Sequence, residues 1–131
     1  GRKLLTLVSD VMRSGSAVPQ VGVQASFSEL MREMSNKGLG ASAVVDERGQ
    51  VQGIFTDGDL RRLVEKGQDL RALRAGDVMH SRPQTVRPDA LAAEAAALME
   101  THRITSVLVA DAQGKLVGAL NSNDLMRAKV I

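Results

Sequence analysis

The chain contains no cysteine, tryptophan or tyrosine, and only two phenylalanines and three prolines in 131 residues. Without Cys there is no disulfide, no thiolate nucleophile and no Cys-based metal site, which suits a reducing compartment. Without Trp or Tyr there is no stacking platform of the kind that holds nucleic-acid bases, and the basic residues are scattered, so nucleic-acid binding is not expected. No apolar run approaches the ~20 residues of a membrane span and no signal-peptide pattern opens the chain, so it reads as cytoplasmic. Seventeen basic residues against fifteen acidic leave a net charge of only +2. The pI near 9.4 overstates the basicity, because no Cys or Tyr titrates to hold it down. The two histidines, His80 and His102, lack metal-ligand spacing, and no metal site is expected. His102 falls at a helix end, where a cation is favoured, and is read as structural. There is no Ser–His–Asp order, no nucleophile elbow and no acid/base pair, so no catalytic residue is named.

What is present is ordinary for a globular chain: 44% hydrophobic and 24% charged residues, enough to bury about two-thirds of the unfolded surface. The chain opens Gly1-Arg2-Lys3 without Met and reads as a piece cut from a longer protein. Residues 1–7 are taken as a linker that turns into a packed segment.

Residues 51–60 organise the rest. A short apolar run ends in Gly53-Ile54-Phe55, and Thr56-Asp57-Gly58-Asp59 leads into a helical pattern. Thr56 is placed to cap that helix by accepting from the Asp59 N–H. A helix N-terminus at a strand exit favours an anion, although a capping box alone explains the same residues. Ser26 and Glu29 form another such box, followed by Phe27, Leu30, Met31 and Met34 on one helical face, and Gly38 ends that helix. Residues 41–46 read as a strand, Asp46 to Gly49 as a turn, 51–55 as its hairpin partner, and 57–66 as a helix stopped by Gly67. The pattern then restarts. Residues 75–79 echo 8–12 at an offset of 67, while Asp46, Gly49, Gly53 and Asp59 match Asp111, Gly114, Gly118 and Asp124 at an offset of 65. In the second half Asp89 is expected to cap a helix ending at His102, with Leu91, Ala95, Leu98 and Met99 inward.

This ordered set resembles the CBS domain: Asp-Val-Met, a strand-initiating Pro, an amphipathic helix, Val-Val-Asp-x-x-Gly-x-x-x-Gly, then Thr-x-x-Asp-Leu. It occurs twice and covers essentially the whole chain. The finer text is similar to the C-terminal CBS pair of arabinose 5-phosphate isomerases of the KpsF/GutQ type. That text is Phe55-Thr56-Asp57-Gly58-Asp59-Leu60-Arg61-Arg62, with the opening Gly1 to Leu5 and the close Leu125 to Val130. The resemblance implies an α/β (α+β) fold of two βαββα units related by a pseudo-twofold: a first unit over 8–67, a connection over 68–74 and a second unit over 75–131. It also implies a nucleotide cleft in each unit and an N-terminal sugar-isomerase (SIS) domain in the parent chain that carries catalysis. The 65-residue repeat and the apolar stripes of Met31 and Met34, and of Leu98 and Met99, point to a homodimer through these helix faces.

For the first cleft the candidates are Asp59, to accept both hydroxyls of a ribose, and Thr56, toward a phosphate or ribose oxygen. Ser42 and Ala43 are small enough to let a base approach. In the second cleft Asn121 stands where the family usually has Thr or Ser, and Asp124 keeps the carboxylate; Ser106 completes this set. His80 and Arg82, after Met79, are expected to face the second cleft, Arg82 toward a phosphate or carboxylate. No cofactor is required. The leading expectation is a regulatory pair that senses a nucleotide or nucleotide-sugar. The family's pathway makes CMP-Kdo the preferred ligand over AMP or ATP. The alternatives are a structural dimerisation module with empty clefts, or an adenine-nucleotide sensor of another protein.

Overall fold

Most helix starts among the described residues are set by side chains that accept from unpaired N–H groups of the first turn. In the computed structural model, which describes residues 5–131, helix α2 (Phe27–Lys37) begins where Ser26 accepts from the Glu29 N–H and ends at Gly38 with φ of 65°. The basic opening of the expected linker, residues 1–4, lies outside the described residues. Two short helices, α1 (Val8–Val11) and α4 (Ala75–Val78), start in a related way. Their aspartates, Asp10 and Asp77, accept the N–H of Leu7 and Arg74 at 2.9 and 2.8 Å. This is the structural work of the repeated Asp-Val-Met.

The strands β1 (Gln20–Gly22), β2 (Ala41–Val45), β3 (Val51–Thr56) and β4 (His80–Ser81) form one sheet in that order. β1 runs parallel to β2, and the other pairings are antiparallel. Strands β5 (Thr85–Val86), β6 (Ser106–Ala110) and β7 (Leu116–Asn121) form a second sheet of the same pattern. Arg13 adds an antiparallel bridge to Ala119 at its edge. With α3 (Asp57–Glu65), α5 (Ala92–His102) and α6 (Ser122–Arg127), each half has the expected order strand, helix, strand, strand, helix. Both hairpin turns have the same chemistry. Asp46 Oδ1 accepts from Arg48 and Gln50 N–H groups, Asp111 Oδ1 from Gln113 and Lys115, and Gly49 and Gly114 share a φ of 81°.

The spatial units do not coincide with the sequence repeats. One unit is Pro19–Pro83, and the other joins the N-terminal segment through Val18 to Gln84–Ile131. The segment after each Asp-Val therefore docks on the hairpin of the opposite repeat. The Pro19–Pro83 unit is packed around Phe27, Leu30, Met34, Val44, Phe55 and Ala75, with Phe27 and Phe55 edge to face at 5.9 Å. The other is packed around Val8, Val107, Leu120, Leu125, Met99 and the alanines of α5.

One expectation is corrected. Asp89 does not cap α5, which starts at Ala92 with Leu91 at the cap position and no side-chain cap. The Ala92 N–H instead donates to the Thr6 carbonyl at 2.7 Å, so a distant backbone does the capping. Of the stripe residues, Met34 and Met99 are 7% and 4% exposed and lie in the core of their own units, while Met31 and Leu98 are half-buried against the same cores.

A Cβ built on Gly53 would lie 2.6 Å from Met79 Sδ and 2.8 Å from the His80 carbonyl; on Gly118 the distances are 2.5 Å to Met12 Sδ and 2.9 Å to the Arg13 carbonyl. The thioether can shift, but the paired backbone cannot. Gly53→Ala and Gly118→Ala should each lose about 1–3 kcal/mol of unfolding free energy. Gly22→Ala, with nothing within 4 Å of its Cβ, should stay within about 0.5 kcal/mol; urea titration of the three variants checks this.

Candidate functional site

Strand β3 leaves the sheet into α3 through a reciprocal capping box. The Thr56 N–H donates to Asp59 Oδ2 at 2.9 Å and the Asp59 N–H donates to Thr56 Oγ1 at 3.1 Å. Asp59 Oδ1 accepts from Arg62 at 2.7 Å. That partner is weakly held: its side chain is 64% exposed, against 22% for Asp59. An exposed i,i+3 pair contributes little and yields readily to a competing donor. Strand β2 backs the box. Ala41 faces Thr56 in register, and all of β2 is buried, Ser42 and Ala43 included. The Ser42 hydroxyl donates to the Ala43 carbonyl at 3.0 Å, so it is internally satisfied.

The second box repeats the first with Asn for Thr. The Asn121 N–H donates to Asp124 Oδ2 at 3.0 Å, and the Asp124 N–H donates to Asn121 Oδ1 at 2.9 Å. Ser106 is buried and lies opposite Asn121 on β6. Here the carboxylate has a further partner. Arg13 donates from Nε to Oδ2 at 3.1 Å and from Nη2 to Oδ1 at 3.3 Å. This two-pronged geometry is the strong form of an Arg–carboxylate pair, and the Asp124 side chain is only 9% exposed. Arg127, the counterpart of Arg62, stands off at 3.6 Å.

The sequence expectation set His80 and Arg82 beside the second box. The structure instead pairs His80 with Ile54 and Ser81 with Gly53, in the unit that holds Thr56 and Asp59. The candidates therefore divide: Ser42, Ala43, Thr56, Asp59, His80 and Arg82 belong to one unit, and Ser106, Asn121 and Asp124 to the other. Arg13 is missing from the sequence candidates because an ion pair across 111 positions leaves no local pattern. The 67-residue offset alone marks it, since Arg13 is the counterpart of His80.

Arg82 has a further peculiarity. Its φ is 53°, the left-handed region, and its counterpart at the same offset, Gly15, has φ of 59°. One repeat places glycine in this conformation and the other keeps an arginine there. A non-glycine residue in this conformation carries backbone strain, which makes Arg82 a candidate functional position in its own right.

Two grooves lie elsewhere. One of about 560 Å³ is lined by Val23, Gln24, Val45, Asp46 and Arg48, at the turn end of the β2–β3 hairpin and away from the box. The other, about 670 Å³, runs between α5 and α6 and is lined largely by apolar side chains such as Ala96, Leu125 and Val130. Among the described residues no cluster of three His, Cys, Asp or Glu is placed to hold a metal ion, and no helix is long and apolar enough to cross a membrane.

The family model of the CBS domain matches residues 8–66 and again 75–131. A protein named arabinose 5-phosphate isomerase KdsD, from Pseudomonas aeruginosa, is 47% identical over all 131 residues, which span 40% of its length. Among solved structures, CBSX2 in complex with AMP is similar with a TM-score of 0.80 and 25% identity, over 95% of this chain and 96% of that one. The CBS domain pair of protein MJ0100, in complex with 5′-methylthioadenosine and S-adenosyl-L-methionine, shares the fold with a TM-score of 0.85 and 22% identity, over 95% of this chain and 96% of that one.

Replacing Arg82 by glycine relieves the left-handed backbone and adds freedom to the unfolded chain, and the first effect is larger. Arg82→Gly should therefore raise unfolding free energy by about 0.5–1 kcal/mol. A lower urea midpoint than the parent would mean that the Arg82 side chain contributes more to folding than its backbone costs.

Proposed function

The chain belongs to the CBS domain family as a tandem pair, and we propose that it is the ligand-sensing regulatory region of an arabinose 5-phosphate isomerase, with a nucleotide or nucleotide-sugar bound at the Thr56–Asp59 box. The observation that carries the parentage is 47% identity to KdsD over the full chain. Because the chain spans 40% of the length of that relative, isomerase activity and a SIS domain are proposals about a parent protein. So are a cytoplasmic location and a homodimer. The apolar residues left exposed for such a dimer include Val64 on α3, Met126 on α6 and Ile131.

The box suits a nucleotide chemically. Among the described residues Asp59 Oδ1 is shared with one exposed arginine, so a ribose diol has an acceptor it can take over. A helix N-terminus with Thr56 Oγ1 favours a phosphate oxygen. Arg82 supplies a cation for a second acidic group. CMP-Kdo, the activated end product of the pathway that the resemblance implies, brings a ribose diol, a phosphate and a sugar carboxylate. AMP and ATP lack the carboxylate, although CBSX2 carries AMP. A second reading, a structural module with empty clefts, is favoured by the second box, where Arg13 already holds the carboxylate.

Isothermal calorimetry of the 131-residue chain with CMP-Kdo, CMP, AMP and ATP tests the proposal. CMP-Kdo is expected to bind tighter than AMP. Asp59→Ala should cost on the order of 1–3 kcal/mol, about 5- to 150-fold in affinity. Tighter AMP binding would overturn the sugar-nucleotide assignment, and an unchanged affinity in Asp59→Ala would leave both boxes as helix caps. The chain alone should not interconvert ribulose 5-phosphate and arabinose 5-phosphate, and turnover by a preparation free of isomerase would refute the regulatory assignment.

A further inference from the structure

The two boxes have the same backbone and different partners, and the difference traces to one position. Arg13 bridges Ala119 through paired backbone bonds of 2.8 and 3.2 Å. His80 pairs with Ile54, and Ile54 stands 65 positions before Ala119. The close approach of Met12 and the Arg13 carbonyl to Gly118 matches that of Met79 and the His80 carbonyl to Gly53. Positions 13 and 80 are therefore equivalent in space as well as in sequence. From this position Arg13 reaches both oxygens of Asp124, and its own side chain is 21% exposed. The exposed His80 makes no side-chain hydrogen bond or ion pair among the described residues, and Asp59 is left with the solvent-facing Arg62.

We propose that the residue following Asp-Val-Met decides what its box carboxylate does: Arg13 locks Asp124 into an intrachain clamp, and His80 leaves Asp59 open to an external donor. The consequence for ligand binding rests on the nucleotide reading above. A ribose approaching Asp59 displaces an exposed i,i+3 arginine, whereas Asp124 is held by a half-buried, two-pronged guanidinium anchored on a neighbouring strand edge. The pair is then one clamp and one sensor. Among the ligand-facing features of the two boxes, position 13/80 is the determinant, more than the Thr56 to Asn121 exchange that the motif alone would single out.

The clamp is tested without ligand by double-mutant cycles on the 131-residue chain in urea. Arg13→Gln with Asp124→Asn should show coupling, about fivefold in the unfolding constant, and His80→Gln with Asp59→Asn none. His80→Arg should gain coupling to Asp59 of about the same size. This gain needs no loss of Arg13, so it decides the matter even if Arg13→Gln fails to fold. Calorimetry with AMP and CMP as probes then reads the consequence. His80→Arg should weaken nucleotide binding about fivefold, since the new pair must be broken, while Arg13→Gln should leave it within about twofold. Absent coupling at Arg13–Asp124, or no gain in His80→Arg, overturns the proposal. So does nucleotide binding in His80→Arg that equals wild type although the pair has formed. If wild type binds neither probe, the nucleotide reading fails by itself, and the coupling data still decide the clamp.

Discussion

Four aspartates make the same hydrogen bond, and much of the molecule depends on it. Asp10, Asp59, Asp77 and Asp124 each reach back three residues to accept the N–H at the start of a helix, at 2.9, 2.9, 2.8 and 3.0 Å. The bond satisfies an orphan donor and places a negative charge where the helix dipole is positive. Asp10 and Asp77 thereby fix the short helices whose exits carry Met12 and Met79. Those two methionines lie over Gly118 and Gly53, where no side chain fits. The glycines let positions 13 and 80 come within backbone hydrogen-bonding reach of the hairpins. At the far end of the same hairpins Asp59 and Asp124 start α3 and α6. Caps at both ends of a short chain path thus bring position 13 or 80 to the strand that leads into the box.

The features legible in the sequence are those whose partners lie within four residues. Thr56 with Asp59, Asn121 with Asp124, Ser26 with Glu29, and the Asp46 and Asp111 turns all form where spacing and residue type put them. The repeat added the order of strands and helices, since each half had to bury the same faces. What stayed hidden is non-local. Asp89 looked like the start of α5, but a carbonyl from Thr6 takes the first free N–H, and no window around residue 89 contains Thr6. Met34 and Met99 read as core stripes and were also the expected dimer faces, because periodicity gives a face and not its partner. His80 and Arg82 were set beside the second box because they belong to the second repeat, whereas sheet pairing carries them to β3.

The Arg13–Asp124 pair also bears on what a buried charge can do. A carboxylate at 9% exposure is costly unless its lone pairs are occupied, and Asn121 and Arg13 occupy them. Removing one partner of such a pair costs more than the pair is worth, because the other charge remains desolvated. Asp124 is therefore tied energetically to Arg13, whereas Asp59, 22% exposed, has only the 64% exposed Arg62 as its charged partner among the described residues. Identical box geometry does not imply identical chemistry; the third partner and its solvent access distinguish a structural carboxylate from one that can change partners.

The scarcity of aromatic residues constrains any ligand in the same direction. The two phenylalanines, 8% and 0% exposed, pack against each other in the core of the Pro19–Pro83 unit, so neither ring is available to a base. Stacking is sequence-tolerant because every base has a π-face. A site without it must hold a base through aliphatic contact and through hydrogen bonds to the base edge. Such bonds discriminate steeply, because the wrong edge leaves buried polar groups unpaired. On the nucleotide reading proposed above, the base would be distinguished by backbone groups of the surrounding strands, the ribose diol common to all nucleotides would be read by Asp59, and Arg82 would favour a ligand with a further acidic group.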